Sequence, residues 1–201
     1  MASRPPAAKT GGRPLTGKPA GEVRIIGGQW KRSKLPVADK AGLRPTPDRV
    51  RETLFNWLGQ DLTGWRCVDA FAGTGALGFE AASRGAQQVT LIEQDAALVA
   101  QLRKIKEQLQ AEAVQVQRGD GIAALKAWPA ASADLVFLDP PFDANLFDAA
   151  LQAAARVAAA GGYIYLEAPR PWSEEMLAPW GLTLQRHLKA GAVHAHLLTK
   201  V

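Results

Sequence analysis

Val68-Asp69-Ala70-Phe71 and, one alanine later, Gly73-Thr74-Gly75-Ala76-Leu77-Gly78 form the stretch that decides the fold. An apolar run ending on a carboxylate, a glycine turn and the helix-compatible stretch Phe79 to Arg84 read as strand, turn and helix. Glycine lets the backbone turn tightly and come close to a ligand, and a helix start offers free N–H groups to a negative group placed there. The spacing also fits the dinucleotide fingerprint of NAD enzymes, so the glycines alone name no cofactor. Asp69 separates the two readings. A carboxylate just before the turn repels a pyrophosphate and suits an ammonium group such as that of a methionine moiety. Glu93 closes the next apolar run, Val89-Thr90-Leu91-Ile92, where an acid meets the two hydroxyls of a ribose. S-adenosylmethionine therefore fits better than NAD, with Asp69, Phe71, Gly73, Gly75, Gly78 and Glu93 as candidate contacts.

Working outward, strands and helices alternate. The pattern predicts strands over Arg66 to Asp69, Val89 to Glu93, Val114 to Arg118, Leu135 to Asp139 and Tyr163 to Glu167, with helices over Ala96 to Leu109 and Leu146 to Ala159 among the connections. Five such units imply a parallel sheet with helices on both faces. Leu182 to Lys189 and Val193 to Lys200 break the rhythm and read as an antiparallel hairpin around Gly191 that closes the sheet edge. The fold class is thus α/β, resembling the Rossmann-like, seven-stranded class I methyltransferase architecture. In a doubly wound sheet the crevice lies at the carboxyl ends of the strands where winding reverses, here between the first and fourth strands. Those ends are Asp69 and Asp139, which should share one crevice. Gly119-Asp120-Gly121 adds a carboxylate near the expected adenine, although a helix N-cap is an equal role for Asp120.

Asp139-Pro140-Pro141-Phe142 directly follows the run Leu135-Val136-Phe137-Leu138. A carboxylate and the Pro140 carbonyl can each accept one hydrogen of an exocyclic amine, two prolines fix the turn, and the Phe142 ring offers a stacking face. Asp139, Pro140 and Phe142 are therefore the candidate catalytic set, with Asp139 also bordering the cofactor. Such a receptor grips a flipped base or a similar amide.

The chain has 201 residues, 47% of them hydrophobic, enough for one substantial core. No apolar run is long enough to span a bilayer, and no apolar signal-peptide region opens the chain. The single cysteine, Cys67, sits in a predicted core strand as a small buried residue, so a reducing cytoplasm is the expected compartment. Residues 1–52 hold 12 Lys and Arg against 4 acids, net +8, and residues 53–201 hold 12 against 15, net −3. Charge focused on one end suggests a polyanionic partner, with a solubilising tail as the plainer reading.

Residues 1–21 combine Pro, Gly, Lys and Arg without an acid or an apolar period, which predicts a disordered basic tail. A mitochondrial transit helix is disfavoured by the repeated Pro and Gly. Residues 22–43 read as a basic hairpin carrying Arg24, Lys31, Arg32 and Lys34 toward a phosphate backbone, and also as a lid on the catalytic domain at 44–201. Arg44-Pro45-Thr46-Pro47-Asp48 predicts a rigid turn with Asp48 as N-cap of a helix packed through Val50, Leu54, Phe55, Trp57 and Leu58. Arg44, Thr46 and Arg49 at its start are candidates to reach a cofactor carboxylate or an RNA phosphate.

Arg24 to Gly28, Arg44 to Leu58, Asp69 to Gly78 and the Asp-Pro-Pro-Phe motif, in this order, resemble the RsmD family of 16S rRNA guanine-N2 methyltransferases, over residues 22–201. The last motif is common to many amino methyltransferases; the Arg-Pro-Thr to Phe-Asn block is more specific. The resemblance implies S-adenosylmethionine as donor and 16S rRNA in a partly assembled 30S particle as substrate. The leading tail lies outside the family pattern. Competing readings are a DNA amino methyltransferase, which needs a target-recognition region this chain has little room for, and a protein-glutamine methyltransferase, whose receptor more often starts with Asn. A non-enzymatic rRNA-binding module is the alternative of another class. His187, His194 and His196 read as ordinary strand residues, metal binding is not expected, and nothing demands a partner subunit, so a monomer is expected.

Overall fold

The computed structural model describes residues 21–142 and 145–201. The basic tail expected at 1–21 falls, apart from Gly21, outside them. From Gly21 the elements run β1 (Gly21–Arg24), β2 (Lys34–Val37), α1 (Asp48–Trp57), β3 (Arg66–Asp69), α2 (Ala76–Ser83), β4 (Gln88–Glu93), α3 (Ala96–Leu109) and β5 (Val114–Arg118). They continue with α4 (Gly121–Ala127), β6 (Ala133–Leu138), α5 (Phe147–Val157), β7 (Ala158–Ala168), the single-turn α6 (Glu174–Leu177), β8 (Leu182–Ala190) and β9 (Val193–Lys200).

β1 and β2 pair only with each other, and the remaining seven strands form one sheet ordered β5-β4-β3-β6-β7-β9-β8. β3 to β7 run parallel, and β9 lies antiparallel between β7 and β8. The chain winds from β3 out to β5, then returns to start β6 on the other side of β3. Winding therefore reverses between β3 and β6, as the resemblance to the class I methyltransferase architecture implies. Because helices cover both faces, β3 and β6 read as continuous apolar runs rather than alternating ones. Side-chain alternation sends Cys67, Leu135, Phe137 and Tyr165 to the face under Leu54 and Phe55 of α1, and Val68, Val136, Leu138 and Ile164 to the face under Leu151 and Ala154 of α5. On the α1 face, Phe55 and Phe137 ring centroids lie 6.4 Å apart and Phe137 and Tyr165 6.3 Å apart.

The N-terminal hairpin is fastened to α2 by buried polar groups. Glu80, fully buried, accepts from the Ile26 and Gly27 N–H groups at 2.8 Å each, from Arg51 at 3.3 Å and from Arg84 at 2.9 Å. Arg51 is itself fully buried and also donates to the Arg24 and Thr46 carbonyls and to Asp48. Asp48 is not the N-cap expected of it. Pro47 holds that position without a side-chain cap, and the Asp48 carboxylate turns instead to Arg51 (2.6 Å) and Arg24 (3.0 Å). The two strands are joined by residues 25–33, which include Gly27-Gly28. A Cβ on Gly28 would stand 1.8 Å from the Ser83 carbonyl oxygen, so glycine here lets the connection press on the end of α2.

α2 begins earlier than expected, at Ala76, because Gly75 takes a left-handed φ of 79° and turns the chain straight into the helix. α5 ends at Val157 rather than Ala159, and the alanines that follow are drawn into β7 by pairing of Ala158 with Ala133. Tertiary pairing here overrides alanine's helical preference. His196 ties β9 to the segment before α6: its Nε2 accepts from the Trp172 N–H at 3.1 Å, and its Nδ1 faces the Leu166 carbonyl at 3.2 Å. Among the described residues no helix is long and apolar enough to cross a membrane, and no cluster of His, Cys, Asp or Glu could hold a metal.

Candidate active site

Three carboxylates gather at the carboxyl ends of three neighbouring parallel strands. Asp69 ends β3, Asp139 follows β6 immediately, and Glu167 lies one residue from the end of β7. Asp69 is in register with Phe137, and Phe137 with Tyr165. Strand side chains repeat every two residues, so Asp139 and Glu167, two positions further on, face the same side of the sheet as Asp69. The carboxylates of Asp69 and Asp139 thus open on one wall. Asp69 is 1% exposed and Glu167 4%, while Asp139 is partly buried.

So much negative charge in a confined place resists ionisation. Burial pushes the Asp69 carboxyl up to about 7; N–H groups of Phe71 and Gly78 oppose the rise, and the charges of Glu93 and Glu167 add to it. Asp139 lies well above the ordinary carboxylate range, through burial first and then through Glu167 and Asp69. Burial also raises Glu167, against hydrogen bonds from the Thr46 hydroxyl (2.6 Å) and the Tyr165 hydroxyl (2.9 Å). Asp69 Oδ1 is buried and has no hydrogen-bond partner among the described residues. A buried acceptor without a donor is costly, and a bound cation or N–H group would relieve it.

The glycine turn wraps beside Asp69. Gly73 and Gly75 have φ of 52° and 79°, and a Cβ on Gly75 would stand 2.7 Å from both Phe79 and Leu102. Glu93 steadies the turn: its Oε2 accepts from the Gly73 N–H at 3.0 Å and its Oε1 from the Asp95 N–H at 2.8 Å. Each oxygen keeps a further lone pair. Gly78 differs from the other two. Its missing Cβ would stand 2.1 Å from Leu91 Cδ2, so this glycine allows close packing of α2 on β4. Phe71 is partly buried against the core that includes Ile92 and Ile122. Asp120 caps α4 by accepting from the Ala123 N–H at 2.7 Å, the plainer of its two expected roles.

Beyond Asp139, Pro140 is buried and Phe142 is 38% exposed. The Phe142 ring lies 6.3 Å from Phe147, which lies 6.2 Å from Trp172, so an aromatic series leads from the crevice rim into the core. Lys31, Arg32, Arg44 and Arg49 are exposed and make no ion pair among the described residues. Arg24 and Lys34 are exposed but paired, with Asp48 at 3.0 Å and Glu22 at 2.8 Å. Such surface pairs are weak and yield readily to a phosphate. Thr46 is buried and bonded to Glu167, not turned outward to a phosphate. Sequence reasoning missed Glu167 and Tyr165. The signal was available: Glu167 closes a predicted parallel strand, the same position that singles out Asp69 and Asp139. Two clefts of about 320 and 270 Å³, one lined by Trp65 and Tyr163 and the other by Arg66 and Trp128, sit at the opposite ends of the strands, away from the carboxylates.

The profile of the family described as conserved hypothetical protein 95 matches residues 23–199. Ribosomal RNA small subunit methyltransferase D of Escherichia coli (strain K12) is 50% identical over 129 residues, 64% of this chain and 65% of that relative's length. The protein of the same name from Haemophilus influenzae is 48% identical over 136 residues, 65% of this chain and 69% of its own. A solved structure described as putative methyltransferase yhhF from Escherichia coli superposes with a TM-score of 0.77 at 38% identity, covering 90% of this chain and 98% of that one.

Proposed function

Because this chain belongs to the conserved hypothetical protein 95 family, the RsmD methyltransferases, we propose that it methylates the exocyclic N2 of a guanine in 16S rRNA, taking the methyl group from S-adenosylmethionine. The observation that carries the reading is the shared wall of Asp69 and Asp139, with the unpartnered Asp69 Oδ1 beside a glycine turn. The residues fit that donor. Asp69 offers a buried acceptor to its ammonium, Glu93 has lone pairs free for ribose hydroxyls, and Gly73 and Gly75 give backbone without Cβ atoms. Phe71 and Asp120 border the expected adenine side. When bound, S-adenosylmethionine supplies a methyl group on a positively charged sulfur.

The chain's own residues act on the amine. An amine conjugated to a ring is a poor nucleophile because its lone pair is delocalised. Asp139 and the Pro140 carbonyl each accept one amine hydrogen, which draws nitrogen out of the ring plane and turns its lone pair into the crevice. Asp139 then takes the proton that nitrogen sheds after transfer. Phe142 stacks the extruded guanine. Lys31, Arg32, Arg44 and Arg49 hold flanking phosphates, joined by Arg24 and Lys34 once their surface pairs open. The substrate is a 30S subunit or assembly intermediate.

The test is transfer of labelled methyl from S-adenosylmethionine to 30S particles prepared without this modification, with the product nucleoside identified by mass spectrometry. N2-methylguanine in 16S rRNA is expected. Asp139→Ala should lower transfer by a hundredfold or more, on the order of losing a principal transition-state contact, while calorimetric affinity for the donor persists. Equal turnover defeats the assignment of Asp139. Tight RNA binding with no donor affinity identifies a non-enzymatic RNA-binding module instead.

A further inference from the structure

We propose that Glu167 is a positioning residue for the amine receptor: held in place by Thr46 and Tyr165, its carboxylate stands beside Asp139 and strengthens Asp139 as a hydrogen-bond acceptor. The inference rests on the function proposed above for Asp139. Its geometry comes from the sheet. Leu138, the last residue of β6, is in register with Leu166, so Asp139, just past the strand end, and Glu167 follow the last pair of two parallel strands about 5 Å apart. Both face the α1 side. Glu167 Oε1 accepts from the Thr46 hydroxyl at 2.6 Å and the Tyr165 hydroxyl at 2.9 Å, which fixes the side chain within a core that exposes 4% of it. Burial raises the Glu167 carboxyl, and the two donors on one oxygen oppose that rise in favour of the ionised form. Its Oε2 has no hydrogen-bond partner among the described residues and is left to act on its neighbour by charge.

A negative charge beside Asp139 makes that carboxylate hold protons and amine hydrogens more strongly. The titratable groups around the pair are Asp69 on β3, with Glu93 behind it on β4, and Tyr165 on β7, while from α1 the buried Arg51 guanidinium donates to the carbonyl of Thr46, whose hydroxyl holds Glu167. The charges that act on Asp139 are therefore both negative. The gain is a stronger pull on the amine. Its consequence is that Asp139 stays protonated to higher pH, and a protonated Asp139 has lost acceptor capacity. Removing the Glu167 charge should weaken the pull and let Asp139 ionise at lower pH.

Carbon-13 NMR of protein labelled at the aspartate carboxyl carbons tests this directly, the Asp139 signal being identified by its loss in Asp139→Asn. In the wild type that signal should titrate above the ordinary carboxylate range. In Glu167→Gln, which keeps the size of the side chain, and in Glu167→Ala, the midpoint should move to lower pH; Glu167→Asp, which keeps the charge, should stay near the wild type. A wild-type midpoint in the ordinary range overturns the proposal and requires no variant to fold. An unmoved midpoint in a folded charge-removing variant overturns it as well. In the methylation assay the acid limb of the kcat profile should move in the same direction and plateau kcat should fall by roughly tenfold. A limb that stays in place removes Glu167 from the reaction. A purely structural lesion lowers kcat without moving the limb. If the wild type transfers no methyl group to rRNA, the substrate reading fails, while the NMR result still decides whether the two carboxylates act as a pair.

Discussion

Changing Asp69 to Asn should stabilise the protein at alkaline pH and weaken the donor site at the same time. In an unfolded chain Asp69 titrates near its ordinary 3.8, whereas in the fold burial pushes it up to about 7. Between those values the folded state holds a proton that the unfolded state has already released. Unfolding then releases a proton, so stability falls as pH rises through the window and levels off above the folded value. Each pH unit inside the window is worth about 1.4 kcal/mol for one group. From pH 5 to pH 8 the wild type should therefore lose about 3 kcal/mol through Asp69 alone. Asn cannot ionise and escapes that loss. Relative to wild type, Asp69→Asn should gain about 3 kcal/mol between pH 5 and pH 8, whatever constant offset comes from its altered hydrogen bonds to Phe71 and Gly78. Urea denaturation at the two pH values measures this. The same variant should bind S-adenosylmethionine more weakly at pH 8, because the missing charge is the proposed partner of the ammonium. A parallel pH dependence of stability in wild type and variant would refute the argument, since Asp69 would then titrate as an ordinary surface aspartate.

Two further perturbations test the frame around the crevice. Arg51→Ala leaves the Glu80 carboxylate buried with one cationic partner fewer and should lower stability by about 3–5 kcal/mol in urea denaturation; a loss under 1 kcal/mol would mean that the hairpin is not held through this pair. Gly78→Ala places a Cβ 2.1 Å from Leu91 Cδ2 in the core between α2 and β4, and should cost about 1–3 kcal/mol with a matching drop in melting temperature; an unchanged melting temperature would show that Leu91 rotates aside freely.

The sheet was legible because its signals are local and repeated. Apolar runs ending on acids, a glycine turn and amphipathic helices fix each unit, whereas the place of the reversal between β3 and β6 came from the resemblance to a known architecture. α3, β5 and β9 agree with the sequence expectation at both ends. Segments governed by contacts far along the chain were not legible. Asp48 looks like an N-cap until buried Arg51 claims it, and nothing local shows that Gly28 lies against Ser83. Thr46 and Glu167 lie 121 residues apart, so neither sequence neighbourhood reveals their bond. In the site, Asp69 and Asp139 stood out because each sits beside a distinctive turn. Glu167 sits beside none and is recognised only once β7 is laid next to β6.

The distribution of charge also bears on how a nucleotide would be admitted. Asp69, Glu93, Asp139 and Glu167 line the crevice with acidic groups, while Lys31, Arg32, Arg44 and Arg49 are exposed on the N-terminal hairpin, the segment after it and the start of α1. An RNA phosphate is repelled by the first and drawn to the second. On the proposed function, a neutral base bearing an amine is the one part of a nucleotide that an acidic crevice would accept, and the exposed cations would hold the backbone while that base turns inward. The two groups of charges would then sort the nucleotide, base inward and phosphate outward, before any shape-specific contact forms. Salt screens the exposed cations far more than the buried crevice. RNA affinity should then fall steeply with ionic strength while donor affinity changes little, a separation that a single patch serving both ligands could not produce.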